Sequence, residues 1–402
     1  KRAEAEAKLA ELREEIAFFT GDLNIGQNAS TSAFKKYLYD DLKLPVMKVT
    51  AKYQEAMDDE ALVLLTEWCE ANRAELVPLF RLVQEYRRWG KIKSTYIDGY
   101  LDHVNTTTGR IHPDLMPLAT ETGRYAARKP NLQNMPRAGN DDTGVRNFFM
   151  APEGIALLSL DFSQIELRVG AFYCRDTRML DTYRTGGDIH AQTTSVIYHI
   201  PFEQALDKNA ENFKERRTIA KNCNFGTFFG LFPKGLQRTL KFKADLPTPL
   251  SECERIISNL KRGYPGLTRW QEETKTRAGF RRYSETWLGR RRYLPNIQSQ
   301  DWGKKSFAER CALNTPIQGT AADILKLALG RIITGLPARP WLKPLLQIHD
   351  ELVFELPMAQ VPQAISFIKA QMEQQPFPEF DVPIVAEAAM GLRFGEMKEL
   401  EA

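Results

Sequence analysis

Two aspartates stand where apolar runs end. Asp161 closes the run 155–160, and Asp350 sits between the runs 345–348 and 352–356. Runs of this length and composition read as buried strands. If those strands are neighbours in one sheet, both carboxylates project at the same edge. Paired carboxylates suit hard cations such as Mg²⁺, and two ions about 4 Å apart activate an attacking oxygen while stabilising a leaving one. A strand-end Asp standing alone is ordinarily a turn or cap residue, so the weight lies on the pairing.

A second constellation runs from Arg217 to Gly230. Arg217, Lys221, Phe225 and Phe229 follow i, i+4 spacing, which places them on one helical stripe. Two cations near the start of a helix oppose its dipole, a cost that suggests an anionic ligand such as a triphosphate. The aromatic next along the stripe then lies against a nucleobase. An amphipathic helix with solvated basic residues is the plain alternative. Residues 261–310 carry thirteen Lys or Arg against five Asp or Glu, interleaved with Tyr264, Trp270, Phe280, Tyr283, Trp287, Tyr293 and Trp302. That mixture suits a phosphate backbone with stacked bases, and equally a solvated helical face.

These residues need elements to hold them. Leu9, Leu12, Ile16 and Phe19 fall at helical spacing and stop at Thr20-Gly21. A short helix is expected near 34–42 and a long helical region over 58–89, bent at Pro78. Loops and short strands follow over 105–136, where Gly, Thr, Asn and Pro concentrate. The strand at 155–160 comes next, then a helical section over 176–335. A hairpin with His349-Asp350-Glu351 at its bend lies near the end. The order is helical lobe, sheet, helical lobe, sheet.

At 402 residues the chain is long enough for two or three packed subdomains. Five scattered cysteines without a CxxC pair argue against a disulfide framework or a zinc site and read as buried thiols. No run of eighteen apolar residues appears. The start at Lys1, without Met, reads as a cut-out or processed product. A net charge of +4 says little about partners; its distribution says more.

Several strings resemble family A DNA polymerases, the DNA polymerase I type. Asp161-Phe-Ser-Gln-Ile-Glu-Leu-Arg168, Arg217-x3-Lys221-x2-Asn224-Phe-Gly226 and Gln347-Ile-His-Asp-Glu351 are similar to motifs A, B and C of that family. Thr122-Gly-Arg124, Pro130-Asn-Leu-Gln-Asn134 and Arg310-x3-Asn314-Thr-Pro-Ile-Gln-Gly-Thr-Ala-Ala-Asp323 resemble further blocks in the same order, as does Lys93-Ser-Thr-Tyr-Ile97. The resemblance implies an α+β right-hand fold, with an antiparallel-sheet palm and mostly helical thumb and fingers. It places the thumb at 1–95, the palm at 96–175 and 305–402, and the fingers at 176–304.

It also implies roles. Asp161 and Asp350, with the Phe162 carbonyl, would bind two Mg²⁺ ions, which Mn²⁺ could replace. Arg217, Lys221 and His190 would hold the incoming triphosphate, with Lys221 protonating the departing pyrophosphate. Phe225, Gln164, Glu166 and Phe229 would surround the nucleotide. Arg124, Asn131, Gln133, Asn314, Gln318, His349 and Arg310 would contact primer–template DNA, some of them through groove-edge acceptors that all base pairs share. Ser163-x-x-Glu166 fits a capping box, yet the resemblance favours Glu166 as a steric gate against ribonucleotides. The two roles are compatible. The implied protein is a monomer serving replication or repair, with no membrane association. Its expected place is the cytoplasm of a bacterial or virus-infected cell, with an organelle also open. A related single-subunit RNA polymerase and a non-catalytic primer–template-binding factor are the rivals. Glu166 and Phe225 speak against the first; Asp161, Lys221 and Asp350 speak against the second.

The sequence departs from the family pattern in places. Phe162 stands where many relatives have Tyr, a change expected to be nearly silent. Phe229 replaces a Tyr whose hydroxyl bonds the gate Glu, so Glu166 is expected to be held less rigidly. No early carboxylate cluster resembles a proofreading module, so extension without trimming is expected. Phe225 has no ring hydroxyl to stand in for a missing 3′-OH. Phe225→Tyr should therefore increase dideoxynucleotide termination, and unchanged termination ladders would refute the assignment.

Overall fold

The computed structural model describes residues 1–50, 52–136 and 144–400. The chain divides into two compact units. The first comprises Lys1–Asp114, Arg128–Asn131 and Met135–Arg146; the second comprises Leu115–Ala127, Leu132–Asn134 and Asn147–Ala402.

The first unit is helical. Helix α1 (Arg2–Thr20) buries Leu12 and Ile16 and ends at Gly21, whose φ of 62° is the left-handed stop its sequence signals. The region expected as one helix bent at Pro78 is two helices, α2 (Asp59–Asn72) and α3 (Val77–Lys91). The break falls at Arg73, with φ −147° and ψ 61°. Pro78 sits in the first turn of α3, where a missing N–H leaves no bond unmade, so it starts a helix rather than bending one. Leu12, Ile16, Phe34, Leu38, Leu62, Leu65, Phe80 and Val83 share the core of this unit.

The second unit is built on a five-stranded antiparallel sheet. Its strands are β1 (Ile155–Phe162), β2 (Lys343–Ile348), β3 (Glu351–Pro357), β4 (Ala386–Gly391) and β5 (Lys398–Leu400), in the order β2-β3-β1-β4-β5. Central β1 is buried from Ala156 to Leu160, then opens to solvent at Asp161. Apolar side chains on both faces explain why its sequence reads as a continuous hydrophobic run rather than an alternation. Helix α4 (Ile165–Cys174) follows directly, and α5 (Ile189–Tyr198), α6 (Phe213–Thr227) and the 34-residue α7 (Trp302–Gly335) come later in this unit. α7 packs against α4, and Val361–Glu373 packs against β1. The fold is α+β.

The helical section is interrupted by an unforeseen hairpin. Tyr283–Glu285 pairs with Arg291–Tyr293, turning at Gly289 with φ 83°. The aromatics of this stretch divide: Tyr264 and Trp270 belong to the core, whereas Phe280, Tyr293 and Trp302 are exposed. Only the second group fits the expected nucleic-acid surface. All five cysteines are free and buried. Among the described residues, no helix is long and apolar enough to cross a membrane.

Candidate active site

The antiparallel register sets the acidic edge. Asp161 on β1 stands directly opposite Glu351 on β3 and Glu387 on β4. Opposed residues share one face of the sheet, with Cβ atoms about 5 Å apart, where like charges repel. Glu351 accepts a hydrogen bond from Ser159 Oγ at 2.5 Å, which draws it back along the strand. Asp350 occupies the tight turn between β2 and β3, and its carbonyl accepts from Phe162 N–H at 3.4 Å. Asp161 and Asp350 thus stand at adjoining strand ends.

The turn before Asp350 is pinned by two glutamines. His349 adopts φ 55°, a left-handed conformation that costs energy unless its surroundings hold it. Its N–H donates to Gln133 Oε1 at 3.0 Å, and its carbonyl accepts from Gln347 Nε2 at 2.5 Å. Gln133 Nε2 in turn donates to the carbonyl of Gln347 at 2.6 Å. Gln133, expected at the DNA, also braces the acidic turn. Gln347 lies within the quoted string, but nothing in local spacing reveals its bracing role.

After Asp161 the chain reverses through Gln164, with φ 56°, and enters α4. No side chain caps this helix, so the capping box of Ser163 and Glu166 does not form. The left-handed turn carries Ser163 outside the helix start. There its N–H donates to Val385 O at 2.9 Å, and its carbonyl accepts from Arg168 Nε at 2.8 Å. Buried Arg168 also donates to Pro383 O and lies over the Tyr183 ring, and the Tyr183 hydroxyl donates to Gln164 Oε1 at 3.2 Å. Glu166 pairs with Arg124. The expected loosening of Glu166 through Phe229 therefore meets a guanidinium that anchors the carboxylate. Arg124 follows Gly123, whose φ is 77° and whose Cα is so close to the Arg290 guanidinium that a Cβ would stand 2.4 Å from it. That is why glycine precedes Arg124. Arg124, Tyr125, Phe162, Glu166, Ala322, His349 and Asp350 line one cleft.

A second cluster gathers at α5 and α6. Asp188 caps α5, accepting from the N–H groups of His190 at 2.8 Å and Ala191 at 3.1 Å, and pairs with Arg217 at 2.6 Å. Burial pushes the Asp188 carboxyl up, but the Arg217 hydrogen bond, the two N–H donors and the Arg217 charge outweigh it and leave the group below its ordinary range. Lys221 is exposed, and the half-exposed Phe225 ring lies 6.3 Å from the His190 ring. Helix α6 ends at Thr227, so the stripe expected to run through Phe229 stops at Phe225. Phe229 lies in the turn beyond, its N–H bonded to Gly226 O, and packs on the core. Asp188 directly precedes an apolar helical start, the usual N-cap signal; that signal identifies the cap but not its Arg217 partner.

Arg310, Asn314 and Gln318 recur every fourth residue on α7, on a stripe that continues to Ala322 in the cleft. Arg310 donates to Ser306 Oγ at 2.8 Å, and Asn314 Oδ1 is buried without a hydrogen-bond partner among the described residues. Asn131 is exposed on the first unit.

The chain belongs to DNA polymerase family A, whose description matches residues 1–396. Among named relatives, it is 34% identical to DNA polymerase I of Pseudomonas aeruginosa over 380 residues, covering 93% of this chain and 38% of that protein. It is also 34% identical to the thermostable DNA polymerase I of Thermus aquaticus, covering 92% of this chain and 42% of that one. The chain thus spans about two fifths of these relatives' length. A solved structure, the POL domain of Pol1 from M. smegmatis in complex with DNA primer-template and dNTP, matches 98% of this chain and 66% of its own, with a TM-score of 0.85 at 28% identity.

His190 yields a pH test of the second cluster. It is only 6% exposed, and burial, with the Arg217 and Lys221 charges, lowers its pKa to about 4 against the pull of Asp188. The unfolded chain, titrating near 6.5, binds the proton first. Stability from this group is therefore complete above about pH 6.5 and is lost as pH falls towards 4, by about 3 kcal/mol at most. Denaturant unfolding of wild type and His190→Gln across that window should give a shallower pH slope in the variant. Equal slopes would contradict the assignment.

Proposed function

We propose that this chain is a template-directed DNA polymerase module that adds deoxynucleotides to a primer 3′ end with release of pyrophosphate. The carrying observation is the register that sets Asp161 beside the Asp350 turn. The family membership and the solved neighbour, itself complexed with primer-template and dNTP, support the reading. In this reading residues 1–95 act as thumb, 96–175 and 305–402 as palm, and 176–304 as fingers, in a monomer.

The donor set fits Mg²⁺. Asp161, Asp350 and the Phe162 carbonyl offer hard oxygens, while no cluster of three or more His, Cys, Asp or Glu side chains among the described residues could enclose a metal alone. Mg²⁺ typically takes one or two carboxylates and completes its shell with phosphate oxygens and water. Bound there, such ions, or Mn²⁺ in their place, supply Lewis-acid activation of the 3′ oxygen and charge stabilisation on the leaving side. Arg217, Lys221 and His190 hold the triphosphate, and Lys221 Nζ carries the proton for the leaving pyrophosphate. Phe225 packs against the incoming sugar and base. Gln164 and Phe229 support the nucleotide pocket, and Glu166, anchored by Arg124, closes the space that a 2′-hydroxyl needs. Arg310, Asn314 and Gln318 follow the duplex along α7, with Arg124, Gln133 and His349 at the primer–template. The side-chain NH₂ groups of Asn314 and Gln318 are donors suited to the groove-edge acceptors that all base pairs share.

Primer extension with dNTPs, NTPs and chelator tests this reading. Wild type should extend with dNTPs and Mg²⁺ only, and Asp350→Ala should lose at least about 100-fold of that rate while still binding primer–template. Preferred use of NTPs, or extension that survives in Asp350→Ala, would overturn it.

A further inference from the structure

The buried amide of Asn224 faces one nitrogen of the His190 ring. Asn224 Nδ2 lies 2.9 Å from His190 Nδ1 and 3.4 Å from the carbonyl of Ile189, and Asn224 Oδ1 accepts from Thr193 Oγ1 at 2.7 Å. The carbonyl of Ile189 can only accept. Reversing the amide would set two oxygens against each other at 3.4 Å, so the orientation that satisfies all three contacts has the NH₂ group facing Ile189 and His190. Nδ1 then receives a hydrogen bond and carries no proton of its own. The Tyr264 hydroxyl lies 2.8 Å from Thr193 Oγ1 and is directed into the same chain. Because Thr193 donates to Asn224, Tyr264 donates to Thr193. Thr193, Asn224 and Tyr264 are all at most 3% exposed, so water does not compete for these bonds.

We propose that Asn224, oriented by Thr193 and Tyr264, is a positioning residue that locks His190 in its Nε2–H tautomer, so that the ring presents a donor to the triphosphate of the incoming nucleotide. The proposal rests on the polymerase reading for its ligand, but not for its geometry. An unrestrained neutral imidazole populates two tautomers, and one of them turns a lone pair from Nε2 towards phosphate oxygens. The charged groups facing the ring are Asp188 at the cap of α5 and Arg217 and Lys221 on α6. With burial lowering its pKa to about 4, the ring stays neutral at physiological pH and adds a directed donor beside two cations. Nε2 lies across the ring from Asn224, and Phe225 flanks the ring at 6.3 Å.

The tautomer is read directly by ¹⁵N–¹H NMR of the full chain labelled at its five histidines, with His190→Gln assigning the signal. Wild type should show a neutral His190 protonated at Nε2 from pH 5 to 8 (roughly the range above its lowered pKa). An Nδ1–H ring, or a mixture, overturns the proposal. Asn224→Asp replaces a donor by an acceptor at the same place. Nδ1 must then carry a proton, and the ring should titrate near neutrality. Below that pKa the imidazolium still donates from Nε2; above it Nε2 is bare. The KM for dNTP should therefore rise about tenfold from pH 6 to pH 9 in Asn224→Asp and stay flat in wild type. Primer–template affinity serves as the internal reference. A flat KM in a variant whose ring has changed tautomer also overturns the proposal. An Nε2–H ring in a chain that extends no primer supports the lock and removes only the polymerase reading.

Discussion

Three carboxylates held abreast by strand register are the constraint around which the second unit is arranged. Glu351, Asp161 and Glu387 cannot separate without breaking the ladders of β3, β1 and β4, and β1 cannot slip without exposing its apolar run. Packing therefore holds negative charges together that electrostatics alone would part. Ser159 draws Glu351 back along the strand, and Gln133 with Gln347 fixes the turn that presents Asp350. In the proposed reading Asp161 and Asp350, rather than the flanking glutamates, supply the hard oxygens of this edge.

The cations of the second unit are arranged with equal care. Arg217 is bonded to Asp188, and Arg124 to Glu166. Each pairing positions a guanidinium at the cost of part of its field. Lys221 stays exposed on α6, four residues from Arg217 and four from Phe225. In the proposed reading, an arriving triphosphate would compete with Asp188 for Arg217. The neutral His190 ring differs from its neighbours, since it contributes direction rather than charge.

Much of this arrangement was legible in the residues themselves. The runs ending at Asp161 and following Asp350 read correctly as strands because burial on both faces leaves a continuous apolar pattern; the run before Asp350 is also a strand, although Leu345 in it is exposed. The stripe Arg217, Lys221, Phe225 holds because the period of a helix is set locally; it overran at Phe229 because helix ends are set by local turns, here through Gly226, rather than by period. What spacing does not encode is the choice of distant partners. The bond of Gln133 to the acidic turn, the pairing of Glu166 with Arg124 and the burial of Tyr264 and Trp270 all depend on tertiary neighbours. Two reversals of direction, at Gln164 and His349, rely on left-handed backbone in residues that do not advertise it.

Joint binding of divalent cations by Asp161 and Asp350 at that edge is what the proposed chemistry requires. It is tested most directly by anomalous diffraction from Mn²⁺ in crystals of the chain grown with primer–template and nucleotide. Manganese is expected within bonding distance of both aspartates, with the Phe162 carbonyl as a further ligand. Manganese held instead by Glu351 and Glu387, with either aspartate unbonded, would contradict it.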